Sequence, residues 1–138
     1  MDISGFNIWE LIVASLLTFV IGFLWYGKFL FGASWQKLAG LSDDDIKKAN
    51  MFLIFGLSFI LNFIIAFFLS IFTEIAMMLG SNAIFGGLFA SFLCISFVAT
   101  TFGVNYLFAR KPAKLYFIDI GYMIVSFFVM GLIIGAWK

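Results

Sequence analysis

The chain has 138 residues, of which 64% are hydrophobic and 11% charged, with a formal net charge of +1; no soluble domain of this size keeps that balance in solution, so the composition predicts an integral membrane protein. The absence of histidine and the single cysteine, Cys94, exclude internal disulfides and most haem or transition-metal ligation, so no metal and no cofactor is expected. The basic residues form no long run, and nucleic acid is not an expected partner.

Four segments reach the ~20 largely apolar residues that a helix needs to cross ~30 Å of hydrocarbon. They cover residues 6–31, 51–79, 83–109 and 115–137. The continuous apolar runs lack the alternation of barrel strands. An all-α membrane protein is therefore expected, a single transmembrane domain over residues 1–138 with four transmembrane helices in an antiparallel bundle. The first segment is expected to stay in the mature protein, because its flank opens with Asp2 rather than a basic cluster and its length exceeds a ~7 to 15 residue signal core. Lys28, Lys37, Lys47, Lys48, Arg110, Lys111 and Lys114 fall on one side of the predicted bundle, against Lys138 alone on the other. That bias predicts an inner (plasma) membrane protein with both termini external.

The first segment aligns Leu11, Ser15, Thr18, Gly22, Tyr26 and Phe29 at three- and four-residue spacing, its expected bundle-facing stripe. Glu10, a turn from the outer end, is expected to be an interfacial carboxylate within reach of water. In the connection 32–50, Ala33 to Leu38 reads as a short interfacial helix stopped by Gly40, lying in the first cytoplasmic loop. Ser42 and Asp45 form the two ends of a capping box, so Asp43, Asp44 and Asp45 read as a solvated helix start rather than a metal site.

The second segment places Ser58, Asn62, Ala66, Leu69 and Thr73 on one face, with Asn62 near mid-membrane and expected to point inward. The third stacks Gly87, Ser91, Cys94, Val98, Thr101 and Asn105, small and polar groups that permit close helix approach. The fourth separates a polar side, Asp119, Tyr122 and Ser126, from a glycine side carrying Gly121, Gly131 and Gly135. Helix packing is expected at Gly87, Ser91, Gly131 and Gly135, the last two supporting either a helix contact within the chain or a homo-oligomer.

The stretch most loaded with chemistry runs from Asn105 to Tyr122. Asn105 and Asp119 lie seven residues to either side of Pro112, which puts them at similar depth in a helical hairpin. Two readings follow from this placement. In one, Asp119 ties the inner half of the bundle together through hydrogen bonds, and the chain is a structural or regulatory membrane subunit acting through helix or lipid contacts. In the other, Asp119, Asn105, Thr101, Tyr122, Asn62 and Tyr26 line a path for a small polar solute or cation. An enzyme is not expected: Cys94, Ser91 and Ser96 have no histidine beside them, and no glycine-rich phosphate loop follows a strand.

Trp25-Tyr26, Phe31-Gly32, Trp35 and Gly40-Leu41-Ser42 are followed by Phe97-Val98-Ala99-Thr100-Thr101, Asn105-Tyr106-Leu107-Phe108 and Ile118-Asp119-Ile120-Gly121-Tyr122. In order and spacing this series resembles the bacterial DUF1761 family of small integral membrane proteins, whose function is unknown. The resemblance covers nearly the whole chain and implies the membrane architecture. It also implies a histidine after the Gly-Tyr pair; Met123 stands there in this sequence, so no role resting on a titrating imidazole carries over.

Overall fold

The computed structural model describes residues 6–80 and 82–138. Asp2, which entered the reading of the first flank, lies outside the described residues. Along the chain run α1 (Ile8–Trp25), α2 (Gly32–Leu38), α3 (Asp43–Lys48), α4 (Met51–Met77), α5 (Ala83–Leu93), α6 (Thr100–Phe108) and α7 (Ala113–Trp137). A π-helical segment, Cys94–Ala99, joins α5 to α6. Among the described residues, four helices are long and apolar enough to cross a membrane: α1, α4, the composite Ala83–Phe108, and α7.

The helix ends follow local chemistry. Asn7, Asn50 and Asn82 cap α1, α4 and α5 by accepting the amides of Trp9, Leu53 and Phe85 at 3.0, 3.1 and 2.8 Å, each worth about 1 kcal/mol. Gly40 takes φ 71° and ends α2, its amide bonding the Lys37 carbonyl while the Leu41 amide bonds that of Gln36. This is the paired closure that a left-handed residue allows. Ser42 and Asp45 form the expected capping box. The Ser42 backbone amide and hydroxyl together hold the Asp45 carboxyl below its ordinary range.

The first spanning helix is shorter than expected, ending at Trp25 rather than near residue 31. The chain then folds back: the Phe31 amide bonds the Trp25 carbonyl and the Gly32 amide that of Gly27. A Cβ at Gly32 would stand 2.5 Å from the Tyr26 carbonyl oxygen, so only glycine fits there. The reversal swings α2 back and sets Trp35 edge-on to Tyr26, ring centroids 5.4 Å apart.

Helix α7 is the centre of the fold and packs against α5, α1 and α4. Its approach to α5 is backbone to backbone. A Cβ on Gly86 would lie 2.6 Å from the Gly131 carbonyl oxygen, and one on Gly131 would lie 2.6 Å from the Ala90 methyl. Gly135 faces Ala83, and Gly87 faces the Phe128 ring. Gly131 and Gly135 are thus covered by α5 of the same chain, whereas Gly121, expected on the same side, meets the Trp25 ring of α1. Next to this seam Leu11, Ala14, Ala66, Leu69, Ala90, Met130 and Ile134 form the core.

Helix α4 joins that core along only half its length. Its buried residues, Ala66, Leu69, Ser70, Thr73 and Ala76, all lie in the second half. Residues 51–57 are exposed. The first half buries none of its residues and meets α1 through the Phe55 ring, 5.9 and 6.1 Å from those of Phe19 and Phe23.

Glu10 corrects the sequence reading. It is 1% exposed, not water-accessible: Ser70 Oγ of α4 donates to its Oε1 at 2.7 Å, and Lys138 Nζ lies 3.8 Å from the same oxygen and 4.0 Å from Glu74 Oε2. Position along a helix sets depth, but the packing of α4 and the reach of a lysine from the far end of the chain decide burial.

Candidate functional site

The wedge left by α4 is a cavity of about 760 Å³. Thr18, Phe19, Gly22, Phe23, Tyr26 and Gly27 form its α1 side, Met51, Ile54, Phe55, Ser58, Leu61 and Asn62 its α4 side, and Asp119, Tyr122 and Met123 its α7 side. Trp35, Phe102 and Tyr106 complete the lining. A second cavity of about 370 Å³, between Ile64, Phe68, Leu93, Phe97 and Phe127 among others, is apolar throughout. Only the larger one holds an ionisable group.

That group is Asp119, in the second turn of α7 and 9% exposed. Tyr26 Oη donates to Oδ1 at 2.8 Å and Tyr106 Oη to Oδ2 at 2.5 Å. Both oxygens of its side chain are thus held by phenols from two other parts of the chain. Among the described residues the ion pairs are those of Lys138 with Glu10 and Glu74, so no cation reaches Asp119 within 4 Å. Lys111 is exposed, and its ammonium lies 4.9 Å from the Tyr106 ring centroid.

Three elements fix the two phenols and their neighbours. Tyr26 follows the end of α1, where the neighbouring Trp25 Nε1 donates to the Ile118 carbonyl at 2.9 Å and pins that end against α7. The Tyr26 ring meets Tyr122 edge-on at 5.2 Å. Tyr122 Oη in turn donates to the Thr18 carbonyl at 3.0 Å.

Tyr106 reaches the site because of the π-helical segment. In an uninterrupted α-helix the stripe through Gly87, Ser91 and Cys94 continues to Val98, Thr101 and Asn105. The wider turns at Cys94–Ala99 take up one extra residue, so the inward face continues instead through Ala99 to Tyr106. Hydroxyls occupy the carbonyls around the wide turns: Tyr116 Oη donates to Ala99 at 2.8 Å, Thr100 Oγ1 to Ser96 at 2.8 Å, and Thr101 Oγ1 to Phe97 at 2.6 Å.

The sequence candidates separate accordingly. Asp119, Tyr122, Asn62 and Tyr26 come together on the cavity wall. Thr101 and Asn105 are exposed and off the lining, a correction that follows directly from the one-residue shift of face. Gly87, Gly131 and Gly135 lie on the α5–α7 seam, as does Ser91, whose Oγ is 3.5 Å from the Ile124 carbonyl. Sequence reasoning missed Tyr106 and Trp35 as site residues. The signal for Tyr106 was its place beside Asn105, together with the Thr100-Thr101 pair, whose hydroxyls suit a distorted helix.

The cavity joins elements that a membrane-protein family resemblance had only placed in order. A family model described as a protein of unknown function, DUF1761, matches residues 9–135. The chain belongs to the DUF1761 family. No curated protein and no solved structure matches it. The DUF1761 match runs from Trp9 in the first turn of α1 to Gly135 in the last turn of α7, and so contains the entire cavity lining.

Proposed function

We propose that this DUF1761 chain is an integral membrane protein, without catalytic chemistry of its own, that binds or translocates a small cationic or polar solute at Asp119. One observation carries the reading: an aspartate on the wall of a ligand-sized cavity has both oxygens oriented by phenols and, among the described residues, no cation within 4 Å. A buried charge is costly unless paired. The phenols orient it and supply two charge-assisted bonds, while the open side of the cavity leaves room for a countercharge from outside the chain.

On this reading the four long helices span an inner (plasma) membrane in antiparallel order with both termini external. The basic connections, the inner ends of α1 and α6, and the cavity then share the cytoplasmic side, with α2 lying at that interface. The exposed phenylalanines face lipid. A homo-oligomer would use those faces, because α5 covers Gly131 and Gly135.

The alternative, a structural or regulatory membrane subunit, draws on the same bonds, since Tyr26–Asp119–Tyr106 also ties the ends of α1 and α6 to α7. The variant Asp119→Asn separates the two readings. A ligand that binds only the folded state raises the thermal midpoint. Screening small cations and polar solutes against both proteins should give a ligand that stabilises wild type and leaves a folded Asp119→Asn protein unmoved. If Asp119→Asn is folded and takes the same ligands as wild type, the site reading is wrong. If the variant loses stability and no ligand shifts wild type, the subunit reading replaces it.

A further inference from the structure

Building on the Asp119 site, we infer that its ligand is a hydrophobic organic cation of single charge, such as a quaternary ammonium or aryl phosphonium ion, rather than an inorganic ion or a neutral solute. Three features of the cavity converge on that class.

The first is the shortage of oxygen. A bare metal cation needs several oxygens converging at about 2–2.6 Å to replace its hydration shell. Here the two carboxylate oxygens already accept phenols. Much of the remaining wall is Phe19, Phe23, Met51, Ile54, Phe55 and Leu61, which offer an inorganic ion nothing.

The second is size. At about 760 Å³ the space is that of a drug-sized ligand, far more than a dehydrated ion fills. A neutral polar molecule of that size would find Ser58, Asn62 and the hydroxyls of Thr18, Tyr26, Tyr106 and Tyr122, all four already bonded within the chain, in a wall otherwise mainly apolar, and would lose much of its hydration without replacement. An anion would meet the carboxylate directly.

The third is the aromatic frame. The Tyr26 ring meets Trp35 at 5.4 Å on one side and Tyr122 at 5.2 Å on the other, and all three rings line the space that contains Asp119. Aromatic faces attract weakly hydrated cations. A carboxylate fixed among such faces within an apolar wall selects a cation whose charge is shielded by hydrocarbon.

The test uses shape-matched ions of opposite charge. Binding of labelled tetraphenylphosphonium and tetraphenylborate to the purified full chain is measured in dodecyl maltoside, which has no amine to compete, with protein-free micelles subtracted. Tetraphenylphosphonium should bind saturably and tetraphenylborate should not, a comparison that needs no variant to fold. Asp119→Asn should weaken the cation by about 30-fold or more. Trp35→Leu, which leaves the carboxylate and its phenols in place, should weaken it by a smaller factor. Equal binding of the two ions, indifferent to Asp119→Asn, would overturn the inference. Asp119-dependent binding of thallous or sodium ions without tetraphenylphosphonium would overturn the ligand class and leave the Asp119 site standing. No saturable binding of any of these ions by folded wild type would remove both.

Discussion

Removing either phenol from Asp119 leaves a buried carboxylate oxygen short of a donor. Tyr106→Phe and Tyr26→Phe should therefore each lower stability by about 1–3 kcal/mol, with Tyr106→Phe the more costly because that bond is buried and shorter. The effects should not add in the double variant, since both act on one group; denaturant unfolding in detergent reads all three. At the other end of the bundle, Glu10→Gln keeps an acceptor for Ser70 and loses only the ion pair with Lys138. Glu10→Ala strands the Ser70 hydroxyl and opens a void as well. The first should cost about 1 kcal/mol and the second about 3 kcal/mol or more, in the same unfolding measurement. An exposed Glu10 would give near-zero values for both. Asp119 was legible in the sequence because an acid inside an apolar run stands out. The burial of Glu10 was not, because it depends on Ser70 and Lys138, 60 and 128 residues along the chain.

At the scale of the elements, the glycines divide by what faces them. Gly131 and Gly86 meet each other's backbone, whereas a Cβ on Gly56 in the first half of α4 would meet nothing within 4 Å. Gly131→Ala should destabilise by about 1–3 kcal/mol through overpacking. Gly56→Ala should stabilise by up to about 1 kcal/mol through helix propensity. Thermal unfolding of the two variants side by side checks the difference in sign. A small-residue face was readable from the spacing of Gly87, Ser91, Gly131 and Gly135, but the spacing left open whether its partner was α5 or a second copy. Helix existence was legible from length and apolarity, and the caps at Gly40 and Ser42 from local chemistry. The π-helical segment was not, because Cys94–Ala99 is as apolar and continuous as its flanks. Its one-residue shift is why Tyr106 rather than Asn105 meets Asp119.

For the whole molecule, the proposed binding role rests on a mismatch in packing. One half of α4 is locked to the core through Ala66, Leu69, Ser70 and Thr73, and the other half buries no residue and meets α1 through Phe55, so the bundle is closed towards Glu10 and open towards Asp119. Nothing in the hydropathy of α4 announces this division, since both halves are equally apolar; only the small residues of the second half hint at where close contact is made. On the proposed reading this opening is a water-accessible site that selects positive charge through Asp119.

Thiol labelling tests it most directly. With Cys94→Ala as background, Ser58→Cys places a cysteine on the cavity wall. Its reaction rate is measured in vesicles with a trimethylammonium methanethiosulfonate and with the sulfonate of similar size. The account predicts faster reaction with the cationic reagent, from the cytoplasmic side, and loss of that preference when Asp119→Asn is added. An unreactive cysteine, or equal rates with the two reagents, would contradict it.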